Sequence, residues 1–125
     1  MSKIEFIEAD DYYDMACQWR KEGELEKAIE CFKHAIELNK FFIYAYVDLA
    51  DVYAVKRDYH AAVSVLKRAV KLDPQFDLLY YNTAKYLYRC GDLPGAVKYI
   101  EDAVELNDTE LYKRVRSVIL KKIIT

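Results

Sequence analysis

Residues 43–76 read IYAYVDLADVYAVKRDYHAAVSVLKRAVKLDPQF, and their alanines decide the fold because they recur on both sides of the stretch. Ala62 lies 34 residues after Ala28 and 34 before Ala96. Ala50 has the same counterparts in Ala16 and Ala84, and Ala69 in Ala35 and Ala103, again at intervals of 34. Self-similarity at a fixed interval of this size marks a solenoid, in which each supersecondary unit buries its apolar face only by stacking on its neighbours. Such an architecture presents surface, so the sequence points to a protein that binds.

Apolar periodicity places the helices. In the quoted stretch Tyr46, Leu49, Ala50 and Tyr53 fall at the i, i+3, i+4, i+7 spacing of a buried helical stripe. This predicts a helix from Ile43 to Lys56, paired with a second from Tyr59 to Leu72. The same pair is expected upstream as Asp10 to Glu22 with Leu25 to Leu38, where Tyr12, Met15, Ala16 and Trp19 form the first stripe and Ala28, Ile29, Phe32, Ala35 and Ile36 the second. Downstream it recurs as Asp77 to Cys90 with Leu93 to Leu106. Alanine suits these places because helix axes that approach to about 8 to 10 Å leave no room for a larger side chain. Glycine and proline sit where helices should turn, at Gly23, Gly91, Pro74 and the Pro94-Gly95 pair.

In chain order, the first unit reads Tyr12, Met15, Ala16, Trp19, then Gly23, Ala28, Phe32, Ala35, and closes at Lys40. The second reads Tyr46, Leu49, Ala50, Tyr53, then Asp58, Ala62, Leu66, Ala69, and closes at Pro74. The third reads Tyr80, Thr83, Ala84, Leu87, then Gly91, Ala96, Ile100, Ala103, and closes at Asp108. This order resembles the tetratricopeptide repeat, a helix-turn-helix unit with the pattern W-x2-L-G-x2-Y, then A-x3-F, then proline. The related pentatricopeptide family has a slightly longer period, against which the constant 34 argues. The resemblance implies an all-α, right-handed superhelix forming a single domain over residues 1–125. Its parts are an N-terminal arm at 1–8, repeats at 9–42, 43–76 and 77–108, and a C-terminal helix at 109–125.

Function in such solenoids lies on the concave face lined by the first helix of each pair. With the packing residues set aside, the first repeat offers Tyr13, Asp14 and Cys17, and the second Tyr44, Asp48 and Asp51. The third offers Leu78, Tyr81, Asn82, Lys85, Tyr88 and Arg89. Tyrosine brings large contact area, few rotors and a polar tip, which is why it anchors binding hot spots. Asp48 and Asp51, with Lys85 and Arg89 further along, suggest a ligand carrying basic and acidic residues at opposite ends. Family members that hold the acidic tails of heat-shock chaperones use a clamp of lysine, asparagine and arginine. Its positions here hold Tyr13, Cys17, Asp48, Leu78 and Asn82, none of which matches, and Asp48 would repel a carboxylate.

Composition narrows the class further. With 125 residues, 54% apolar and 32% charged, the chain has one domain's worth of core and surface. No run of about 18 apolar residues suits a bilayer, and the opening Met1-Ser2-Lys3-Ile4-Glu5 has no secretory pattern. Cys17, Cys31 and Cys90 are odd in number and widely spaced, which suits neither a disulfide framework nor a metal site, so a reducing cytoplasm is expected. A net charge of −2 argues against nucleic acid as partner. His34 and His60 lack a partner nucleophile or carboxylate at motif level, and no phosphate-binding loop is present, so neither catalysis nor a cofactor is expected. Cys17 is the one thiol that neighbouring Arg20 and Lys21 would activate, but it is read instead as a small filler of the groove.

The last helix, from about Asp108 to Ile124, carries apolar residues further round its circumference than one stripe needs. It is read as a cap on the third repeat, with Val118, Ile119 and Ile123 as a contact for weak homo-oligomers. Its Lys113, Arg114, Arg116, Lys121 and Lys122 make a basic end, opposite an acidic start of Glu5, Glu8, Asp10, Asp11 and Asp14. The resulting expectation is an interaction module, an adaptor or scaffold that binds an extended peptide or a partner helix. The alternatives are a small three-repeat chaperone that shields a client's apolar segment, and a self-assembling scaffold.

Overall fold

The computed structural model describes residues 2–125, with side chains from Glu8 onward. Glu5 of the acidic start therefore lies outside the described side chains. The described residues form seven α-helices and no strand, and they fall into two compact units, Met1–Asp58 and Tyr59–Thr125. The first unit holds α1 (Ser2–Lys21), α2 (Leu25–Leu38) and α3 (Ile43–Val55), with α2 packed against both others. The second holds α4 (Tyr59–Leu72), α5 (Asp77–Arg89), α6 (Leu93–Leu106) and α7 (Glu110–Ile124), each packed on the next. α1 begins at Ser2 instead of Asp10, so the helix runs through most of the segment expected to be an arm.

All nine of the periodic alanines are fully buried: Ala16, Ala50 and Ala84 on first helices, and Ala28, Ala62, Ala96, Ala35, Ala69 and Ala103 on second helices. Phe32, Leu66 and Ile100, also 34 apart, are buried beside them, so the interval in the sequence is an interval in the core. Met15 breaks the pattern. Its counterparts Leu49 and Thr83 are buried, but Met15 is 47% exposed. α2 precedes α3 and α4 precedes α5, whereas α1 stands first in the helix order. Thr83 satisfies its buried hydroxyl on the Leu79 carbonyl at 2.7 Å.

The turns within the helix pairs repeat as well. Gly23, Arg57 and Gly91 all have positive φ, at 79°, 64° and 89°, and are spaced by 34. Each ends its helix with the same two main-chain bonds. Gly23 N–H donates to Arg20 O and Glu24 N–H to Trp19 O; Arg57 to Ala54 and Asp58 to Tyr53 follow, then Gly91 to Tyr88 and Asp92 to Leu87. The counterpart of the glycines is thus Arg57, not Asp58, and an arginine occupies a conformation that favours glycine. Between pairs, the Tyr46 hydroxyl donates to the Lys40 carbonyl and the Tyr80 hydroxyl to the Pro74 carbonyl, both at 2.8 Å. Lys40 stands where a proline was expected, and the turn closes in the same way. At the next turn, Asp92 caps α6 by accepting from Gly95 N–H at 3.0 Å, with Pro94 in the first turn of that helix.

Candidate functional site

In the first unit, α1 and α3 bring Tyr13, Cys17, Arg20, Asp48 and Asp51 together. The Tyr13 ring packs 5.6 Å from Phe32 and 4.8 Å from Phe42, and its hydroxyl donates to the Asp48 carboxylate. Burial, reinforced by that bond, pushes the Tyr13 hydroxyl well above the ordinary phenol range. Arg20 forms an ion pair with Asp51 and lies 3.6 Å from Asp48. The two carboxylates expected to face a ligand are therefore engaged inside the unit. At Cys17, burial and then the Asp48 charge raise the thiol pKa above its usual value and outweigh Arg20. Asp14 is exposed, and Tyr44 is 58% exposed.

In the second unit, α5 and α7 build another face. Asp77 accepts from the Tyr112 hydroxyl at 2.5 Å and from the Asn107 side-chain amide at 3.3 Å. The Tyr112 bond holds the Asp77 carboxyl below its usual range, while burial and then Asp77 push the Tyr112 hydroxyl well above its own. Tyr81 stacks on Tyr112 at 4.8 Å between ring centroids, and the Lys85 ammonium sits 4.7 Å above the Tyr81 ring. Tyr81 is therefore part of the packing that orients Lys85, as well as part of the face. Leu78 and Asn82 are half-buried on the same helix.

Further along α5, a cleft of about 260 Å³ opens against α7. Lys85, Tyr88 and Arg89 line it from α5. Arg114, Val115, Val118 and Ile119 line it from α7. The structure thus unites three expected groove residues with two that the sequence reading assigned to self-association. Ile119 is only 1% exposed and is core, which removes it as a contact residue, whereas Val118 and Ile123 are 53% and 46% exposed. Tyr112, Asp77, Arg114 and Val115 were missed as site residues. One signal was available: Tyr13 to Asp48 and Asp77 to Tyr112 are both separations of 35 residues.

A second, more polar cleft of about 460 Å³ lies among Pro74, Gln75, Tyr80, Asp102, Glu105 and Leu106. Among the described residues no group of three or more histidine, cysteine, aspartate or glutamate side chains is placed to hold a metal ion. The His34 ring stacks on Tyr12 at 5.0 Å. No described helix is long and apolar enough to cross a membrane.

Comparison with known proteins agrees with this geometry. The family model described as tetratricopeptide repeat matches residues 47–110, and a second model of the same description matches residues 9–41. No curated protein matches the sequence. Among solved structures, the chain is similar to the first repeat domain of Spaghetti (RPAP3) bound to the HSP90 peptide SRMEEVD, with a TM-score of 0.87, 17% identity and 96% of each chain covered. It is similar to the Yersinia enterocolitica type III secretion chaperone SycD in complex with a peptide of the translocator YopD, with a TM-score of 0.81 and 17% identity over 90% of this chain and 92% of that one. It is also similar to the second such domain of human RPAP3, in complex with the HSP70 peptide SGPTIEEVD, with a TM-score of 0.81 and 21% identity over 95% and 98% of the two chains.

Proposed function

Since the chain belongs to the tetratricopeptide-repeat family, we propose that it is a non-catalytic, cytoplasmic interaction module that binds an extended peptide or a helix of a partner protein. Binding uses the faces built by first helices, α1 with α3 in one unit and α5 with the closing helix α7 in the other. The observation that carries this reading is the α5–α7 cleft, where an apolar floor and orienting cations lie side by side. The peptide-bound state of similar folds supports it. The heat-shock clamp is not the mode of binding, because its positions hold Tyr13, Cys17, Asp48, Leu78 and Asn82, and Asp48 would oppose a terminal carboxylate.

Affinity purification from native lysate, comparing the wild type with a Tyr88→Ala, Arg89→Ala variant, tests the proposal. A partner set lost in the variant, with its thermal melt unchanged, supports the module. Identical recovery by both proteins removes the α5–α7 face from the reading. The exposed apolar residues of α7, notably Val118, Leu120, Ile123 and Ile124, favour one competing role, a scaffold that assembles with itself. The similarity to a secretion chaperone supports the other, a chaperone that keeps a client soluble. Sedimentation across a concentration series separates the first, and a client-aggregation assay the second.

A further inference from the structure

We propose that the cleft between α5 and α7 takes a short acidic segment of the partner, seating one branched aliphatic side chain on its floor and pairing flanking carboxylates with Lys85, Arg89 and Arg114. This rests on the module reading above and specifies the chemistry of its ligand.

The floor is apolar, made by Val115, Val118 and Ile119 with the Tyr88 ring. Its volume of about 260 Å³ falls below the roughly 300 to 1,000 Å³ of small-molecule sites, which suits a side chain better than a metabolite. The three charged residues that line it are all cationic, and no carboxylate does. Compensation elsewhere on α7 sets Arg89 and Arg114 apart. Arg116 lies 3.7 Å from Glu101, and Lys113 lies 3.4 Å from Asp108 and 3.2 Å from Glu110. Arg89 and Arg114 form no ion pair among the described residues. Guanidinium groups beside an apolar floor are suited to bidentate pairing with carboxylates.

The third cation is held in place before any ligand arrives. Asp77 fixes Tyr112, Tyr112 stacks on Tyr81, and Tyr81 carries Lys85 over its face. Ordering that is already present in the free protein lowers the entropic cost of binding. The face of the first unit shows the opposite arrangement, with Arg20 already paired to Asp51 and near Asp48. An acidic ligand is therefore drawn to the second unit. A nucleic acid fits less well, because single strands are held on a series of stacking rings and this floor is mainly aliphatic.

The test is selection of a random twelve-residue phage-displayed peptide library on the full chain. Enriched peptides are resynthesised with a fluorophore and an amidated C-terminus, and their affinity is read by fluorescence anisotropy. The expected consensus has acidic residues flanking leucine or isoleucine. Affinity should fall with added salt and drop about tenfold or more in Val118→Asp and in Arg89→Gln, Arg114→Gln. Arg89→Lys, Arg114→Lys should retain more binding than the glutamine pair. These side chains are exposed, and a circular dichroism melt of each variant checks that it folds. Basic or neutral consensus peptides, or acidic ones indifferent to both variants, would overturn this inference and leave the module reading standing. Tighter binding of a labelled oligouridylate than of any selected peptide would overturn it in favour of nucleic acid. A library that yields no binder removes the peptide-binding reading and this inference together.

Discussion

The hydroxyl of Tyr112 donates to a carboxylate oxygen of Asp77 at 2.5 Å, tying the first turn of α7 to the first residue of α5. Tyr112→Phe deletes that donor while keeping the ring on Tyr81. It should destabilise the protein by about 1.5 to 3 kcal/mol, the range for a hydrogen bond to a charged group. Chemical denaturation against the wild type measures it, and no change in midpoint would mean that the bond contributes nothing net.

The same bond sets an acid limit. Because the folded Asp77 carboxyl is held below its usual range, its contribution is fully present above the ordinary carboxylate pKa of about 4. It is lost as pH falls through the lowered folded value. Asp77→Asn should therefore be less stable than the wild type at neutral pH, with the two melts converging below about pH 4. Parallel curves down to the acid transition would contradict the assignment.

At the alkaline end the sign reverses. Tyr13 and Tyr112 have folded pKa values raised above the ordinary phenol value of about 10, so they favour the fold below that pH and lose this contribution as pH rises through their folded values. Tyrosinate absorbance should show a late step that coincides with loss of helix. A Tyr13→Phe, Tyr112→Phe protein should lack the late step.

Ala84 is fully buried on α5, which packs against both α4 and α6. Ala84→Leu should overpack the contact and destabilise by about 1 to 3 kcal/mol. An unchanged melting temperature would refute the closest-approach role of the periodic alanines.

Arg57 is exposed and left-handed, at the place where Gly23 and Gly91 sit in their own turns. A left-handed non-glycine residue costs roughly 1 to 2 kcal/mol, partly offset by the extra freedom a glycine has when unfolded. Arg57→Gly should accordingly stabilise by about 0.5 to 1 kcal/mol, a gain readable as a higher denaturation midpoint.

Much of the fold was legible because solenoid packing repeats its demands in the sequence: Ala28, Ala62 and Ala96 meet the same steric limit three times. Met15 was misjudged because its spacing matches Leu49 and Thr83, and spacing alone does not report how deeply each site is buried. The individual groove side chains were harder. Tyr13 and Tyr81 were read as open to a ligand, yet each packs on aromatic rings contributed by other segments of its unit. Asp48 and Asp51 were read as free charges, but their pairing with Arg20 depends on how α1 lies across α3. Ile119 went to the wrong side of α7 because the apolar residues there wrap too far round to reveal one inward face.

The hydroxyl bridges from Tyr46 to Lys40 and from Tyr80 to Pro74 separate each connecting loop from the residue that secures it. The clasp belongs to the helix that follows, and it grips a main-chain carbonyl that every amino acid possesses. Evolution is thereby free to vary the loop residue, as lysine at one junction and proline at the other illustrate. A segment exchanged at these junctions would carry its own fastening with it and would ask nothing particular of the segment it joins.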